Sequence, residues 1–371
     1  MTTGSPGAPA PATAVVIGTG LIGTSVALAL RERGSSVWLA DHDPASARLA
    51  AQIGAGEVLP QSGLPGGPAD IAVLAVPPAA VAAALDAAQR LRLARCYTDV
   101  ASVKGLPLTC ARELGCDLRT YVPGHPLSGR ERSGPAAARA DLFLGRPWVL
   151  CPAPEATVSC VAAATELARA CGAQPVTMTA DEHDRHVALV SHVPHLVAVA
   201  MAAQLEHAPG AALALAGQGL RDVTRIAAGD AALWIQILAA NAAHAHEALA
   251  AVAEDLSAAA AALAAAAQGD EAAVKQLAAL LERGGAGVAR IPGKHGRPAP
   301  DYSVVQVVIR DRPGELARLF QAADEAGVNI EDVGIEHSPG LPAGVAELSV
   351  RPDAVERLTG ALAAGGWPVR G

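Results

Sequence analysis

Short apolar runs alternate with segments of helical periodicity along the first half of the chain. Five runs are apolar enough to predict buried strands: residues 14–18, 37–41, 71–76, 97–99 and 148–150. Helical spacing of apolar residues occupies stretches between them, for example residues 21–33 and 79–91. Alternation of buried strands with helices is typical of a mostly parallel sheet that is covered on both faces.

The pattern changes near Asp181. From there to about Leu281 the chain contains no strand candidate, and alanine and leucine recur at helical spacing, with residues 258–267 close to low complexity. Alanine has the highest helix propensity but buries little area per residue, so helices built from it need to pack tightly against one another. We expect an all-helical second domain that carries the interface of a homodimer.

A stretch rich in glycine and proline separates this helical region from the C-terminus. Residues 284–300 contain five glycines and three prolines, which indicates a linker. Strand patterns return at residues 303–309, 330–335 and 345–350, and helical patterns lie at 315–326 and from Asp353 onward. The order β-α-β-β-α predicts a small ferredoxin-like α+β domain.

Composition narrows the classes of partner. The formal net charge is -8 at pH 7, which argues against a nucleic-acid partner, because nucleic-acid-binding proteins present a basic surface. No stretch approaches the ~20 consecutive apolar residues of a membrane span, so we expect no membrane partner. Residues 1–11 lack the basic start and apolar run of a secretion signal, and we expect a disordered tail there.

Six cysteines are present, and no two of them form a C-x-x-C pair. Most lie in apolar contexts, so we expect reduced, buried thiols in a cytoplasmic protein. The remaining class of partner is a small-molecule substrate.

A glycine motif, Gly18-x-Gly20-x-x-Gly23, follows the first predicted strand and opens the first helix. The first glycine permits a tight turn, and the second lets the backbone approach a pyrophosphate at the helix N-terminus. Asp41 ends the second strand, where a carboxylate accepts hydrogen bonds from the adenosine ribose and repels the 2′-phosphate of NADP. Asp43 is a second candidate for binding the ribose. The alternative to a coenzyme site is that the glycine motif forms a turn that binds no ligand. The pattern predicts a Rossmann-type doubly wound sheet that binds NAD through Gly18, Gly20, Leu21, Ile22, Gly23 and Asp41.

Two polar clusters, residues 98–104 and 123–131, follow later strands, at the sheet edge where doubly wound folds bind their ligands. His125 lies in the second cluster, between glycines and prolines. Histidine titrates in the range that a general base requires. The alternative is that His125 only forms hydrogen bonds within its own loop.

Two further clusters lie in the helical region. Four histidines fall within 13 residues: His183, His186, His192 and His195. Because no cysteine or H-E-x-x-H motif accompanies them, we expect no metal site. Arg221 and Arg225 follow a pair of glycines, and such arginines suit recognition of a carboxylate, although a solvated helix face is the alternative.

Together these motifs resemble the prephenate/arogenate dehydrogenase family over nearly the whole chain. The matching segments are residues 18–23, 99–104, 124–126, 182–184, 191–195, 221–225 with Trp234, and 290–294. Residues 311–316 and 327–330 look like parts of an ACT domain, a class that commonly binds amino acids between subunits. The resemblance implies an NAD-binding domain at 12–179, a helical substrate and dimerisation domain at 180–283, a linker at 284–301 and an ACT-like regulatory domain at 302–371.

The resemblance also implies roles for single residues. His125 matches the histidine that accepts the proton of the substrate's ring hydroxyl, and Ser102 matches the serine that orients it. Arg225 matches the arginine that binds the substrate carboxylate. The remaining substrate-binding positions are His195 and Trp234, which line the pocket, His183 with Asp184, which form a supporting polar network, and Glu131, which is tied to selection of the substrate side chain.

The implied activity is the NAD-dependent oxidative decarboxylation of prephenate to 4-hydroxyphenylpyruvate in tyrosine biosynthesis, a part of aromatic amino acid biosynthesis. Tyrosine is the expected effector of the ACT-like domain. Three alternatives stay open: an arogenate dehydrogenase that forms tyrosine, a 3-hydroxyacid-type dehydrogenase, and a catalytically dead amino-acid sensor. The second of these uses a lysine in its helical part, where Lys275 is the only lysine before the linker.

Overall fold

The computed structural model describes residues 10–128, 134–291, 302–337 and 343–370. Contacts divide the chain into two compact units, one up to Val252 and one from Ala253 onward. Residues 1–9 of the predicted tail, the predicted site residue Glu131 and residues 292–301 of the predicted linker lie outside the described residues. The predicted domain boundaries stay predictions.

A six-stranded parallel sheet forms the core of the first unit. Its strands are β1 (Thr13–Ile17), β2 (Ser36–Ala40), β3 (Glu57–Val58), β4 (Ala69–Leu74), β5 (Ala94–Asp99) and β6 (Tyr121–Val122), in the order β3-β2-β1-β4-β5-β6. The helices between them are α1 (Leu21–Glu32), α2 (Pro44–Gln52), α3 (Val81–Arg90) and α4 (Gly105–Glu113), with short 3₁₀ helices at Pro78–Ala80 and Leu118–Thr120. The predicted Rossmann-type sheet is confirmed.

Both faces of this sheet are covered, as the continuous apolar strands predicted. Val16 of β1 belongs to one buried cluster, together with Leu30 of α1. Its neighbour Val15 belongs to a second cluster, with Leu85 of α3. Because successive side chains of a strand point to opposite faces, a strand buried on both sides contains no polar alternation.

A second, three-stranded sheet follows. It consists of β7 (Gly124–Pro126), β8 (Pro147–Leu150) and β9 (Gln174–Thr177), with α5 (Val158–Ala170) between the last two and a 3₁₀ helix at Pro135–Ala137. β7 pairs antiparallel with β8, which places His125 opposite Val149. The predicted strand at residues 148–150 therefore exists, but it supports the strand that carries His125 rather than extending the parallel sheet.

The region after β9 is helical, as expected. It contains α6 (Ala180–Val187), a π-helical turn (Ala188–His192), α7 (Val193–Ala203), α8 (Gly210–Leu213), α9 (Gln218–Thr224), a 3₁₀ turn (Arg225–Ala228), α10 (Ala231–Ala240), α11 (Ala242–Ala266) and α12 (Glu271–Ala289). α6, the π-helical turn and α7 form one continuous helical segment, Ala180–Ala203. This segment carries all four histidines of the predicted cluster.

Two helical segments are longer and more apolar than the sequence pattern suggested. Ala180–Ala203 and Ala242–Ala266 contain 24 and 25 residues and are apolar on average, so by length and composition alone each could cross a membrane. The expectation that no stretch approaches a membrane span is therefore wrong on this measure. Alanine raises the mean hydropathy although ionisable residues interrupt every long apolar run.

The helix α12 also extends further than predicted. It continues through Gly284, Gly285 and Gly287 to Ala289, so the chain is helical in the first residues of the segment predicted to be a linker. Glycine costs about 1 kcal/mol per residue in a helix relative to alanine. A helix that is already nucleated upstream tolerates that cost, because propagation adds one hydrogen bond for each residue fixed.

The C-terminal domain has a four-stranded antiparallel sheet. Its elements are β10 (Ser303–Arg310), α13 (Glu315–Glu325), β11 (Asp332–His337), β12 (Ala343–Val350), a 3₁₀ helix (Pro352–Ala354), α14 (Val355–Ala364) and β13 (Val369–Arg370). The strand order is β11-β12-β10-β13. This β-α-β-β-α-β topology confirms the predicted ferredoxin-like domain, with a last short strand that the sequence pattern did not indicate.

One prediction about the cysteines is wrong. Cys96 of β5 and Cys160 of α5 form a disulfide, whereas reduced thiols were expected for all six. The helix α5 packs on β5, so two residues 64 positions apart in sequence become neighbours in space. No short sequence motif indicates that two cysteines so far apart in sequence form a disulfide. Cys110, Cys116, Cys151 and Cys171 are free.

Candidate active site

The glycine motif forms the turn between β1 and α1. Gly18 has φ +98°, and a Cβ there would lie 2.2 Å from the carbonyl oxygen of Ala75. A Cβ on Gly23 would lie 2.0 Å from the carbonyl oxygen of Gly18. These two glycines are therefore required for the turn itself. A Cβ on Gly20, by contrast, would meet nothing within 4 Å.

The open space at Gly20 lies at the N-terminus of α1. Gly20 is the N-cap residue and no side chain caps the helix, so the amides of the first helical residues, among them Leu21 and Ile22, point outward without a side-chain acceptor. Such amides, together with the helix dipole, favour an anionic group. The residues present therefore fit the pyrophosphate of a dinucleotide.

Asp41 stands at the end of β2, beside this turn. Its Oδ2 accepts hydrogen bonds from the amide (2.6 Å) and hydroxyl (2.8 Å) of Thr19, and its Oδ1 accepts one from the amide of Asp43 (2.9 Å). Burial pushes the pKa of Asp41 upward, but these hydrogen bonds outweigh it, so the pKa lies below its usual range. Asp41 is an anion at neutral pH.

Asp43, the second candidate for the ribose, has another role. Its carboxylate accepts from the amide of Ala45 (2.9 Å) and the hydroxyl of Ser46 (3.0 Å), so it caps the N-terminus of α2. A residue committed to a helix cap is a poorer ribose ligand, which favours Asp41.

His125, on β7, is the first member of a chain of hydrogen bonds. Its Nδ1 lies 2.9 Å from Nε2 of His183, and Nδ1 of His183 lies 2.7 Å from Oδ1 of Asp184. The Asp184 carboxylate accepts, so Nδ1 of His183 donates and its Nε2 accepts from Nδ1–H of His125. The remaining nitrogen of His125, Nε2, then carries a lone pair. This is the tautomer that a general base requires.

Electrostatics keep both ends of this chain in the required state. Burial pushes the pKa of Asp184 upward, but the hydrogen bond from His183 and two main-chain amides outweigh it and lower the pKa. Burial, the neighbouring His183 and the ammonium group of Lys104 together hold the pKa of His125 well below its usual range. At neutral pH, His125 is therefore unprotonated and Asp184 is ionised.

A second group of side chains continues from Asp184 into the helical region. The amide nitrogen Nδ2 of Asn241 donates to the carbonyl oxygen of Asp184 (2.7 Å) and lies 3.2 Å from Nδ1 of His192. His192 meets the indole of Trp234 edge-on, and His195 stacks on the same indole with ring centroids 3.6 Å apart. Burial lowers the pKa of His192 to about 4.

The structure thus brings together four predicted residues from distant parts of the sequence: His125, His183, His195 and Trp234. Asn241 and the connecting role of His192 were missed. Asn241 is the one polar residue in the apolar stretch 237–243, and it is a signal that could have been used, because a buried amide needs hydrogen-bond partners.

The other predicted residues of the catalytic and substrate site are Ser102, Arg225 and Glu131. Ser102 is half-buried in the loop between β5 and α4, and the partner seen for His125 is His183. Arg225 is exposed and begins the 3₁₀ turn that packs on α7. The next residue, Ile226, accepts a hydrogen bond from the imidazole of His195 through its carbonyl oxygen, so Arg225 adjoins the His195–Trp234 pair. Glu131 lies outside the described residues.

Relatives of known family cover almost the entire chain. A Streptomyces niveus protein, probable prephenate dehydrogenase NovF, is 42% identical over 363 residues, which span 96% of this chain and 99% of NovF. Residues 26–177 match the family model "Prephenate dehydrogenase, nucleotide-binding domain", and residues 179–282 match "Prephenate dehydrogenase, dimerization domain". The chain belongs to the prephenate dehydrogenase family. The resemblance inferred from the motifs is confirmed, and with it an NAD-dependent oxidoreductase.

Other members of the prephenate dehydrogenase family agree. The prephenate dehydrogenase of Bacillus subtilis is 30% identical over 62% of this chain and 64% of its own length. Crystal structures of Aquifex aeolicus prephenate dehydrogenase, in complex with hydroxyphenyl propionate and NAD+, and of Synechocystis arogenate dehydrogenase each have 24% identity and a TM-score of 0.63. They cover 73% and 75% of this chain, and 96% and 100% of their own, and show the same fold.

Replacing Asp41 with serine should weaken the use of NAD and improve the use of NADP. The substitution removes a charged acceptor, and a hydrogen bond to a charged group is worth about 1.5–3 kcal/mol, or roughly 10–150-fold in kcat/KM for NAD. Steady-state kinetics with both coenzymes measure the change. Asp43→Ser is the matched control, since it removes a carboxylate two residues away while serine still caps α2, and it should leave the coenzyme preference unaltered. Wild-type activity with NADP equal to that with NAD would contradict the assignment.

Proposed function

We propose that this enzyme catalyses the NAD-dependent oxidative decarboxylation of prephenate to 4-hydroxyphenylpyruvate in tyrosine biosynthesis. The observation that carries the proposal is the hydrogen-bond chain from Asp184 through His183, which leaves Nε2 of His125 free as a base. The turn at Gly20 and the carboxylate of Asp41 would hold NAD. The 42% identity to NovF along nearly all of both chains supports the same substrate class.

The residue types suit the chemistry. The substrate is a cyclohexadienol with a carboxylate on the ring carbon opposite the hydroxyl. The turn at Gly20 and the carboxylate of Asp41 would hold NAD, which would supply the acceptor for the hydride that leaves the carbon bearing the hydroxyl. His125 takes the hydroxyl proton at Nε2, and the ring loses carbon dioxide from the opposite carbon and becomes aromatic. Aromatisation with loss of carbon dioxide makes the reaction effectively irreversible, so one base and a well-oriented substrate suffice.

The geometry favours an orienting role for His183, which the motif had suggested as a substrate-binding residue. When His125 becomes an imidazolium, its Nδ1–H still donates to His183, whose Nδ1–H donates to Asp184. The anion of Asp184 therefore stabilises the cation formed during proton transfer without itself taking the proton. The Ser-His-Asp triad uses a carboxylate for the same purpose, although there the carboxylate binds the base directly.

The substrate contacts follow from the position of the aromatic pair. We assign the carboxylate anchor to Arg225, which adjoins the stacked rings of His195 and Trp234. These two rings line the pocket for the substrate ring, and Ser102 orients His125 from the side of the coenzyme. In this assignment, binding and chemistry depend on different residues and are separable by kinetics.

Replacing His125 with asparagine should lower kcat by ~10²–10⁴, the range for one acid–base group, while the Kd for NAD stays unchanged. Because the pKa of His125 lies well below its usual range, kcat/KM of the wild-type enzyme should stay level through neutral pH and fall only at more acidic pH, where the ring gains a proton. Wild-type turnover in the variant would show that His125 is structural.

Arg225→Ala is the contrasting variant, with a roughly 10–150-fold higher KM for prephenate.

Arogenate differs from prephenate in its side chain, where an ammonium replaces the keto group. We propose that Glu131, predicted to border the substrate, attracts this ammonium, so that arogenate is also a substrate. One such pair at ~4 Å is worth a few kcal/mol at an effective dielectric constant near 20, before desolvation. Glu131→Gln should shift the ratio of kcat/KM toward prephenate, as measured with both substrates. A ratio that does not move would show that Glu131 does not contact the side chain.

We further propose a homodimer in the cytoplasm. Residues 179–282 match the family's dimerization domain, and Leu189, Val190 and Ile235 within this range are 62%, 67% and 66% exposed in the single chain. Exposed apolar side chains of this kind are typical of an interface. Light scattering should give twice the chain mass of 37.2 kDa. The similarity to biosynthetic enzymes supports the cytoplasm, although a buried disulfide is uncommon there.

The C-terminal domain is proposed to be an ACT-like domain that binds tyrosine. Gly314, with φ +83°, opens α13, and the next residue, Glu315, is 5% exposed. Glu315 accepts hydrogen bonds from the guanidinium of Arg312 (2.7 Å) and the indole of Trp367 (2.9 Å), and Arg318 lies over the same indole. This network fixes the loop between β10 and α13, which is where the motif places the domain's signature.

Tyrosine should inhibit the full-length enzyme without competing with prephenate. Initial rates at several prephenate concentrations, together with titration calorimetry of tyrosine, measure the inhibition and the binding. Phenylalanine, which lacks the hydroxyl group, is the control ligand. Competitive inhibition would place tyrosine in the active site instead and would remove the basis for an effector site in the C-terminal domain.

A further inference from the structure

Lys104 is a fully buried lysine that the proposed mechanism does not use. Its side chain and that of Asp99 are both 0% exposed, and its ammonium group donates a hydrogen bond to Oδ1 of Asp99. Taking two charges out of water costs several kcal/mol per ion, and apolar residues of similar volume often give equal or greater stability. A gain in stability therefore does not explain why this ion pair is buried. The groups around it indicate a different role.

The side chain of Lys104 holds the backbone of His125. Its ammonium group also donates to the carbonyl oxygen of Gly124, which belongs to the peptide unit that joins Gly124 to His125. Asp99 accepts from the amide of Gly124 (3.4 Å) and from the hydroxyl of Tyr121 (2.6 Å). Both main-chain polar groups of Gly124 are thus bound by the ion pair.

The strand that carries His125 has little freedom beside this pair. A Cβ on Gly124 would lie 2.8 Å from the carbonyl oxygen of Asp99, so β7 passes directly over the end of β5. The position of the His125 backbone therefore depends on the loop that follows β5, where Lys104 is located.

The main chain of Lys104 holds the imidazole by a second route. Its amide donates to Oδ1 of Asp184 (2.8 Å), and the amide of Gly105 donates to Oδ2 (2.8 Å). Asp184 binds His183, and His183 binds the ring of His125. Lys104 therefore holds the backbone of His125 through its side chain and the ring of His125 through its main chain.

The charge of Lys104 also acts on the ring. The titratable groups that face His125 are Lys104 from the loop after β5, His183 with Asp184 from α6 and His192 from the π-helical turn, with Asp99 behind Lys104. After burial and His183, Lys104 is the next cause of the lowered pKa of His125, followed by His192. A fixed cation disfavours a second positive charge nearby.

We propose that Lys104 is a positioning residue for His125, which fixes its backbone through Gly124 and its ring through Asp184. The proposal rests on the proposed function only in that His125 is taken as the base.

The test compares variants that separate charge from structure in the full-length enzyme. Lys104→Met combined with Asp99→Asn removes both charges and leaves no unpaired buried ion. Lys104→Gln combined with Asp99→Asn also removes both charges but keeps a side-chain donor for the carbonyl oxygen of Gly124. Lys275→Met is the matched control, because it makes the same substitution at an exposed position of α12. The readouts are circular dichroism for folding, the NMR titration of the His125 ring, assigned with His125→Asn, and kcat and KM over pH.

In the double variant with methionine, the His125 ring should titrate at higher pH than in the wild type, and the acid limb of kcat/KM should move the same way. At pH 7, kcat should fall by ~10–100-fold with little change in KM, since displacement of a catalytic group by about 1 Å costs up to 10²-fold. Lys104→Gln combined with Asp99→Asn should move the titration in the same direction with a smaller loss of kcat, because it removes the same charges while the glutamine amide can still donate to Gly124. Lys275→Met should change none of these quantities.

An unmoved titration and an unchanged kcat in a folded double variant would overturn the proposal and leave Lys104 a structural residue. If the double variant with methionine does not fold, the double variant with glutamine decides, and a titration that does not shift to higher pH overturns the proposal. The NMR titration needs no turnover. It therefore still reads the effect of Lys104 if His125→Asn shows that His125 is not the base, in which case the proposed function fails separately.

Discussion

The carboxylate of Asp184 is the group on which the rest of the site depends. It accepts hydrogen bonds from two main-chain amides at the start of α4 and from the imidazole of His183. The main-chain carbonyl oxygen of Asp184 accepts another from the side chain of Asn241. One residue thus ties the edge of the parallel sheet to α6 and to the start of α11. Because His183 in turn holds the ring of His125, the orientation of the proposed base depends on a residue of the helical region as well as on its own strand.

This arrangement concentrates polar interactions where water is excluded. Removing one partner of a buried ion pair costs about 3–5 kcal/mol, whereas an exposed i,i+4 pair such as Arg185–Asp181 contributes about 0.3–0.5 kcal/mol. Substitutions at Lys104, Asp99 or Asp184 should therefore affect folding and chemistry together, and substitutions in the exposed pairs should affect neither.

The two sheets position different residues of the site. The parallel sheet presents Gly18 at the end of β1, Asp41 after β2 and Lys104 after β5, all at its carboxyl edge, which is the edge where open α/β sheets bind their ligands. The three-stranded sheet presents His125 on β7, paired opposite Val149. A shift of one residue in that pairing would turn His125 to the other face, so the strand β8 and the peptide contacts of Gly124 are as necessary as the histidine itself.

Local features of the sequence were sufficient for several parts of this protein. The period of the apolar residues predicted the parallel sheet, the helical region and the ferredoxin-like domain, because burial of strands and helices imposes that period directly. The glycines of the first turn and Asp41 could be recognised because their partners are near in sequence or in a known order. Long-range contacts were not predictable in this way. The bonds of Asp184 to Lys104 span 80 residues, and the disulfide spans 64. The helix α12 crosses three glycines that locally suggest a linker. These features depend on which surfaces meet after folding, so only the tertiary structure decided them.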